Sequence, residues 1–442
     1  MKTQNVREIT SAAIGNILVF LSAAALILGF VFFSASLSPD RAQESVRTAL
    51  LDGALTNNSF SEIELIPGFL VMESDGYSTC VMLSQMLAPS DTVFGTGLWT
   101  VKTQQSCAGI GEAVMAAPSQ YNNWYRYWHG ASAVSKITLS FLSVHVFQIL
   151  LISLLGLLSI LITWRLFMIS RQMGVAYFIV AFFITDTPWQ GLSLVHGIST
   201  SIGLGGVLLS LIAFERSWTA RWAVVLTAGF AYAVVAQMLV PMAFAIQTGV
   251  VVICVLVLRN RQFIVRMAFL GASMSALWVV GYGLGLVSRY IWVAFWGPGW
   301  AVVSGEVSGT SGLYRSSALS DPFYALVGLL MKTWLNVGWM QVGLFVAFGL
   351  VGWMLAKGSV RNLLRPVALI TLMPSLLGVG WLAYWSFHTN HTFVHALLAA
   401  IFFNVFLYLE VSKTSAEGPF RFVSKPPLDL FGNFNVKIDP KV

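Results

Sequence analysis

The chain has 442 residues, of which 57% are hydrophobic and only 10% charged. Globular proteins carry about 25% charged residues, so a soluble enzyme or binding module is excluded and an integral membrane protein is expected. The formal net charge of +7 would suit nucleic acid. The basic residues, however, stand at the ends of apolar runs, where they orient a protein in the bilayer. Zinc-finger spacing, a Gly-rich phosphate loop and a basic stripe on a soluble domain are all lacking.

The first apolar run, 12–33, follows Lys2 and Arg7. It exceeds the apolar core of about 7–15 residues typical of a cleaved signal peptide, so residues 1–36 are expected to be a retained signal anchor. Residues 37–136 have ordinary polarity, with nine acidic and five basic residues. They read as a small domain outside the membrane. Cys80 and Cys107 both fall in it, where oxidation is possible. A bridge between them would contribute roughly 3–4 kcal/mol; two free thiols are the alternative. Cys254 lies in an apolar run and reads as a core residue.

Further runs long enough to span, about 17–25 residues, follow at 137–164, 173–190, 197–214, 222–239, 243–258, 267–287, 336–356, 366–386 and 393–411. With the anchor this predicts an all-α polytopic protein of about ten transmembrane helices. The membrane domain covers 137–411. Its outer loop, 288–335, has an aromatic first half expected in the interface plane and a Gly/Ser-rich second half. Within it, 323–335 could form a partial or re-entrant helix. The polar tail 412–442 is expected on the cytoplasmic side. Arg165 and Arg171, Arg216 and Arg221, Arg259, Arg261 and Arg266, and Lys357, Arg361 and Arg365 all fall on one side if the spans alternate. That is a consistent positive-inside pattern, and it places the first outer segment, the loop 288–335 and "HTNH" opposite, on the outside.

Ionisable residues near bilayer depth are costly and usually functional. They gather on the outer side: Asp75, Arg126, His129, Asp186, His196, Arg289, Lys332, His388, His391 and His395. A site that opens outward is expected. In "MESDGYSTCVML", Asp75 is either a general base or the cap of the helix that follows. In "ITDTPWQGLSLVHG", Asp186 stands where a span ends or bends, beside Pro188; it lines a cavity or belongs to a plain turn. In "HTNHTFVHALL", His391 and His395 are four apart and share one helix face. Such spacing can bind zinc, but no Glu lies between them. A divalent metal therefore stays open, beside hydrogen bonding to phosphate or sugar and simple interfacial packing. In "YNNWYRYWHG" the rings suit an interfacial belt. The belt does not account for Arg126 and His129; an Arg can hold phosphate bidentately, and aromatic faces suit sugar rings. Lys136 reads as an interfacial anchor.

Taken in order, "DGYSTC", a second Cys, "YRYWHG" before a span, "DTPWQGL" and "NHTFVH" resemble the GT-C glycosyltransferases that use polyprenyl-phosphate sugars, among them the arabinofuranosyltransferases of type IV pilins. The motifs cover most of the chain. The resemblance implies a GT-C-like fold, a polyprenyl-phosphate-linked sugar as donor (D-arabinofuranose in the pilin enzymes) and a periplasmic acceptor hydroxyl, a pilin Ser or Thr or a surface glycan. It implies an Asp base: Asp75, with Asp186 and Asp40 as the others. Arg126, Tyr127, His129, Arg289, Lys332, His391 and His395 would bind donor phosphate and sugar. Many members carry an acidic pair in the first outer loop, whereas here Asp40 stands alone with Glu44 four residues on. Such a transferase needs a carboxylate for the acceptor proton and donors or cations for the phosphate leaving group. A transporter or lipid flippase, with polar groups deep in the spans, and an envelope assembly protein that docks through the outer domain are the rival expectations.

Overall fold

The computed structural model describes residues 2–53, 55, 60–66, 70–87, 99–101, 121–123, 128, 130–185, 187–236, 241–259, 265–296, 366–376 and 391–414. The expected span 336–356, the second half of 366–386 (377–386), the partial helix 323–335 and the tail beyond 414 lie outside these residues.

The protein is an all-α membrane protein. Among the described residues five helical stretches are long and apolar enough to cross a bilayer: Thr10–Ser34, Val144–Ile169, Leu194–Glu215, Pro241–Arg259 and Val265–Phe295. Two shorter apolar stretches, Arg171–Ile184 and Arg221–Val235, pack among them. In chain order the helices are α1 (Lys2–Ser36), α2 (Asp40–Leu51), α3 (Gly76–Leu87), α4 (Gly130–Leu139), α5 (Val144–Ile169), α6 (Arg171–Ile179), α7 (Leu194–Glu215), α8 (Arg221–Val235), α9 (Pro241–Ile253), α10 (Val265–Trp296), α11 (Pro366–Thr371) and α12 (His391–Thr414). The segment between α2 and α4 also holds two antiparallel ribbons that an all-helical expectation did not include. One pairs β1 (Phe60–Ile66) with β2 (Leu70–Asp75), the other β3 (Trp99–Val101) with β4 (Tyr121–Asn123).

Three expected spans are redrawn. The run 137–164 breaks, because Ser143 takes extended backbone and its side chain accepts the Val146 N–H. A Ser cap starts a new helix, so α5 begins at Val144 and α4 stands apart as an outer helix. The run 173–190 does not stay α-helical: after α6 come a π-helical turn, Val180–Ile184, and a 3-10 turn, Thr187–Leu192. The run 267–287 continues to Trp296 as α10, so "RYIWVAFW" is helical rather than a loop lying in the interface. At 1.5 Å per residue α10 is about 48 Å long, well beyond the roughly 30 Å of hydrocarbon.

The bundle has two chemically distinct ends. At one, the Glu215 carboxylate accepts from Arg165 Nη1 at 3.2 Å and Arg259 Nη1 at 2.5 Å, drawing the last turns of α5, α7 and the π turn Cys254–Arg259 together. Ser170 Oγ donates to Glu410 Oε1 near the end of α12. Asn16, early in α1, donates to Thr219 O and accepts from the Ala223 N–H. These contacts require the helices to alternate as the basic residues implied. At the opposite end, Ser34 Oγ of α1 donates to Ala133 O of α4. Val46, Met82 and Leu83 of α2 and α3 share one buried core with Leu139, Phe147 and Leu151 of the bundle. The outer helices are thus built onto the membrane part rather than tethered to it.

Candidate functional site

The broken helix between α6 and α7 makes a pocket. Arg171–Ile184 supplies only about 21 Å of helix at 1.5 Å per residue, too little to reach the far side of a 30 Å core. The chain then turns inside the bundle. Gly191 shows the depth: a Cβ there would lie 2.5 Å from the backbone nitrogen of Ile152, eight residues into α5. Only glycine allows the 3-10 turn so close. Gln148 Nε2 donates to Leu192 O at 2.7 Å and satisfies part of the irregular backbone. Non-helical backbone at membrane depth persists where it is buried in protein or lines a cavity.

The pocket is lined by Tyr177, Thr185, Thr187, Gln190, His196, Ser199, Thr200 and Gln247, with Tyr232 and Phe244 among the apolar walls. Its hydrogen bonds form a chain. The Thr185 N–H donates to Val180 O, closing the π turn, and Thr185 Oγ1 reaches the same carbonyl at 2.9 Å. Thr187 Oγ1 lies 2.7 Å from Thr185 Oγ1. Gln190 Nε2 donates to Thr185 O, and its Oε1 accepts from Thr200 Oγ1 at 2.5 Å. Across the pocket Tyr177 faces Gln247 Oε1 at 3.5 Å. Ser199 Oγ is buried and has no hydrogen-bond partner among the described residues. An orphaned buried hydroxyl costs about 1–3 kcal/mol. His196 is buried on the first turn of α7.

Two of the motif stretches meet at this end, joined by the helix that follows a third. Asp75 closes β2 and directly precedes α3. One turn into α3, the Thr79 hydroxyl lies 3.1 Å from that of Ser193, at the cap of α7. The "DGYSTC" and "DTPWQGLSLVHG" stretches therefore touch. The helix that follows "YWHG" joins them: Ser132 Oγ of α4 donates to Met82 O at 3.1 Å and to Gln85 Oε1 at 2.9 Å. Gly130 presses against α8, where a Cβ would stand 2.5 Å from Val234 O. The α12 helix, which opens with His391 and carries His395 one turn on, packs against α6 and its π turn.

Trp128 is not part of an interfacial belt. It is 2% exposed and packs with Phe32 and Trp292 between α1 and α10. Its indole N–H donates to Gly285 O and Ser288 Oγ, both at 3.1 Å. The Arg289 guanidinium lies over its ring, 5.2 Å from the centroid, and Arg289 is wholly buried. Arg289 is not among the residues lining the pocket. Lys136 is also buried rather than an anchor at the interface, and desolvation pulls its amine below the ordinary 10.5. Asp40 starts α2, where Ser38 Oγ donates to its carboxylate at 2.6 Å; no contact joins it to the pocket lining among the described residues.

Asp186, Arg126, Tyr127, His129, Lys332 and His388 lie outside the described residues, as do the side chains of Asp75, His391 and His395. Asp186 stands in the chain between Thr185 and Thr187, both of which line the pocket. Cys80 is held in a disulfide and Cys254 is free and buried; the remaining cysteine, Cys107, lies outside the described residues. Among the described residues no three His, Cys, Asp or Glu side chains gather as a metal group. The neutral lining of Thr, Gln, Ser and Tyr was not foreseen. Its signal was the density of hydroxyl and amide side chains in "TDTPWQG" and "HGISTS", both inside apolar runs. Compared with known protein families, with characterised proteins and with solved structures, the chain matches none of them.

Proposed function

We propose that the protein is a membrane glycosyltransferase that moves a sugar from a polyprenyl-phosphate donor to an acceptor hydroxyl outside a bacterial cytoplasmic membrane. The observation that carries this reading is that the "DGYSTC" and "DTPWQGLSLVHG" stretches and the helix after "YWHG" meet at one end of the bundle, beside a pocket of hydroxyl and amide groups. A GT-C-like fold places lipid-donor chemistry at such an end. The positive-inside pattern supports the periplasmic side for it.

In the proposed reaction the acceptor oxygen attacks the anomeric carbon. The bond from that carbon to the phosphate oxygen breaks, and the electron pair leaves with the polyprenyl phosphate. The acceptor proton passes to a carboxylate, Asp75 or Asp186, and the configuration inverts. Arg126, Tyr127, His129, Lys332, His391 and His395 are the groups proposed to hold the phosphate and sugar. Acceptors of the fitting chemistry are a Ser or Thr hydroxyl of a pilin or a hydroxyl of a surface glycan. The test is mass spectrometry of periplasmic proteins and glycans from cells with and without the chain. A pentose or hexose increment lost with the chain supports the reading, and unchanged masses sink it. Full transfer by both Asp75→Asn and Asp186→Asn would remove the base assignment.

The broken helix also favours a second reading. Discontinuous helices with polar groups inside the bundle are how many transporters hold substrates. Substrate flux across proteoliposome membranes without formation of a glycosylated product would select it.

A further inference from the structure

We infer that the helix break between α6 and α7 is a binding site for a single dehydrated sodium ion. The inference stands apart from the transferase reading, since an alkali cation is neither its donor nor its acceptor. It follows from where the hydroxyl and amide hydrogens are spent. Thr185 Oγ1 gives its hydrogen to Val180 O or Ala181 O, at 2.9 and 3.3 Å. Thr187 Oγ1, 2.7 Å away, is then the donor to Thr185 Oγ1. Thr200 gives its hydrogen to Gln190 Oε1 at 2.5 Å, and Gln190 Nε2 donates to Thr185 O at 3.0 Å. Hydroxyl and carbonyl oxygens carry two lone pairs each. Thr187 Oγ1, Thr200 Oγ1, Gln190 Oε1 and Thr185 O therefore keep acceptor capacity at the pocket while their hydrogens, or their partners' hydrogens, are committed inside the protein. Ser199 Oγ adds a fifth oxygen: Ser199 is 1% exposed, lines the same pocket, and its hydroxyl has no hydrogen-bond partner among the described residues. Oxygens arranged to accept suit a cation. The backbone favours it too. Val180 and Ala181 also line the pocket, in the π turn that ends the apolar stretch Arg171–Ile184, and the C-terminal end of a helix carries negative partial charge. Unwound carbonyls and half-helix C-termini are what hold sodium in discontinuous membrane helices. Size sets the ion. The cavity has room for a few water molecules at most. Mg²⁺ dehydrates reluctantly and keeps several waters, and Ca²⁺ takes about six to eight oxygens. Potassium is larger than sodium and would spread the cluster. Asp186, between Thr185 and Thr187 in the chain, lies outside the described residues, and none of the five oxygens depends on it.

The test measures equilibrium binding of radiolabelled sodium to the full-length protein in nanodiscs, with choline chloride holding the ionic strength constant. Binding should saturate at one ion per chain. Unlabelled sodium should displace the label, with potassium and calcium at least about tenfold weaker and choline without effect. Ser199→Ala removes an oxygen that holds nothing else in place, so its unfolding midpoint in choline should equal or exceed that of the wild type. Its sodium affinity should nevertheless fall about tenfold. Thr200→Val should weaken sodium at least as much. Ser201 lies on the same helix with a hydroxyl that also has no partner among the described residues, but it does not line the pocket. Ser201→Ala should therefore bind sodium as the wild type does, which separates loss of a ligand from a general loosening of α7. Absence of saturable sodium binding would mean that water alone fills the pocket, and it overturns the assignment. Potassium or calcium displacing the label as well as sodium does, or a sodium affinity unchanged in Ser199→Ala, overturns it equally. So does an equal loss in Ser199→Ala and Ser201→Ala.

Discussion

Trp128 lies under Arg289, with the guanidinium carbon 5.2 Å from its ring centroid and its own N–H shared between Gly285 O and Ser288 Oγ. A cation over an aromatic face away from water contributes about 2 kcal/mol or more. The ring also fills the gap between α1 and α10 against Phe32 and Trp292. Trp128→Phe keeps a ring but loses the indole N–H, while Gly285 O still accepts from Ser288 Oγ, and should cost about 0.5–1.5 kcal/mol. Trp128→Ala should cost about 3–5 kcal/mol. Thermal unfolding of the purified protein checks both. Were the residue a headgroup anchor, the Phe variant would unfold with the wild type.

This cluster shows what the sequence could and could not convey. Apolar length and basic ends were enough to place α1, α5, α7, α9 and α10 and their alternation, because hydrocarbon thickness and charge cost act on any helix alike. The break at Ser143 and the π and 3-10 turns after α6 depend on single capping or packing groups. The hydropathy of a long run does not register them. Outer-side polarity was the sequence's guide to a site. It pointed to ionisable residues, while the described lining is almost wholly neutral. Thr185, Gln190 and Thr200 acquire meaning only once the chain turns back at Gly191. Trp128 was read as an interfacial ring because an indole beside the membrane looks the same in sequence whether it faces lipid headgroups or an arginine inside the fold.

The bond between Thr79 and Ser193 ties the outer segment to the first turn of α7. A double-mutant cycle isolates it. Thr79→Val and Ser193→Ala should each lower stability by about 1 kcal/mol. The double variant should cost less than the sum of the two, since each single change leaves one buried hydroxyl stranded. Strict additivity in thermal unfolding would mean that the outer segment does not dock there in the membrane.

Gly130 marks the closest approach of α4 to α8. A Cβ would stand 2.5 Å from Val234 O and 2.6 Å from Val235 Cα, both backbone atoms that cannot swing aside. Gly130→Ala should therefore destabilise by about 1–3 kcal/mol through overpacking. Gly156 in the middle of α5 has nothing within 4 Å of the same position. Gly156→Ala should be neutral or stabilising by up to about 1 kcal/mol, from helix propensity. Equal unfolding midpoints for the two variants would contradict the packing of α4.

Glu215 holds two helix ends at once through Arg165 and Arg259. The carboxylate is largely buried and both arginines are about half exposed, so solvent screening limits each pair. Glu215→Gln should lower stability by about 1–2 kcal/mol. Arg165→Ala alone should cost less, because Arg259 remains. The loss in the Gln variant should shrink in high salt, which weakens the wild-type pairs.

Lys136 gives a pH-dependent prediction. Burial pulls its amine below 10.5, with desolvation as the cause. The folded state then binds this proton more weakly than the unfolded state does. Between the two pKa values the unfolded chain carries more protons, so stability rises with pH in that window. Below the folded value the charged amine is buried at full cost; approaching 10.5 both states lose the proton and the cost fades. Lys136→Met, similar in length and uncharged, should raise the unfolding midpoint at neutral pH by roughly 1–3 °C. The advantage should narrow steadily as the measurement is repeated toward pH 10. An advantage that stays constant across that range would mean that the gain comes from packing and that Lys136 does not titrate in the fold.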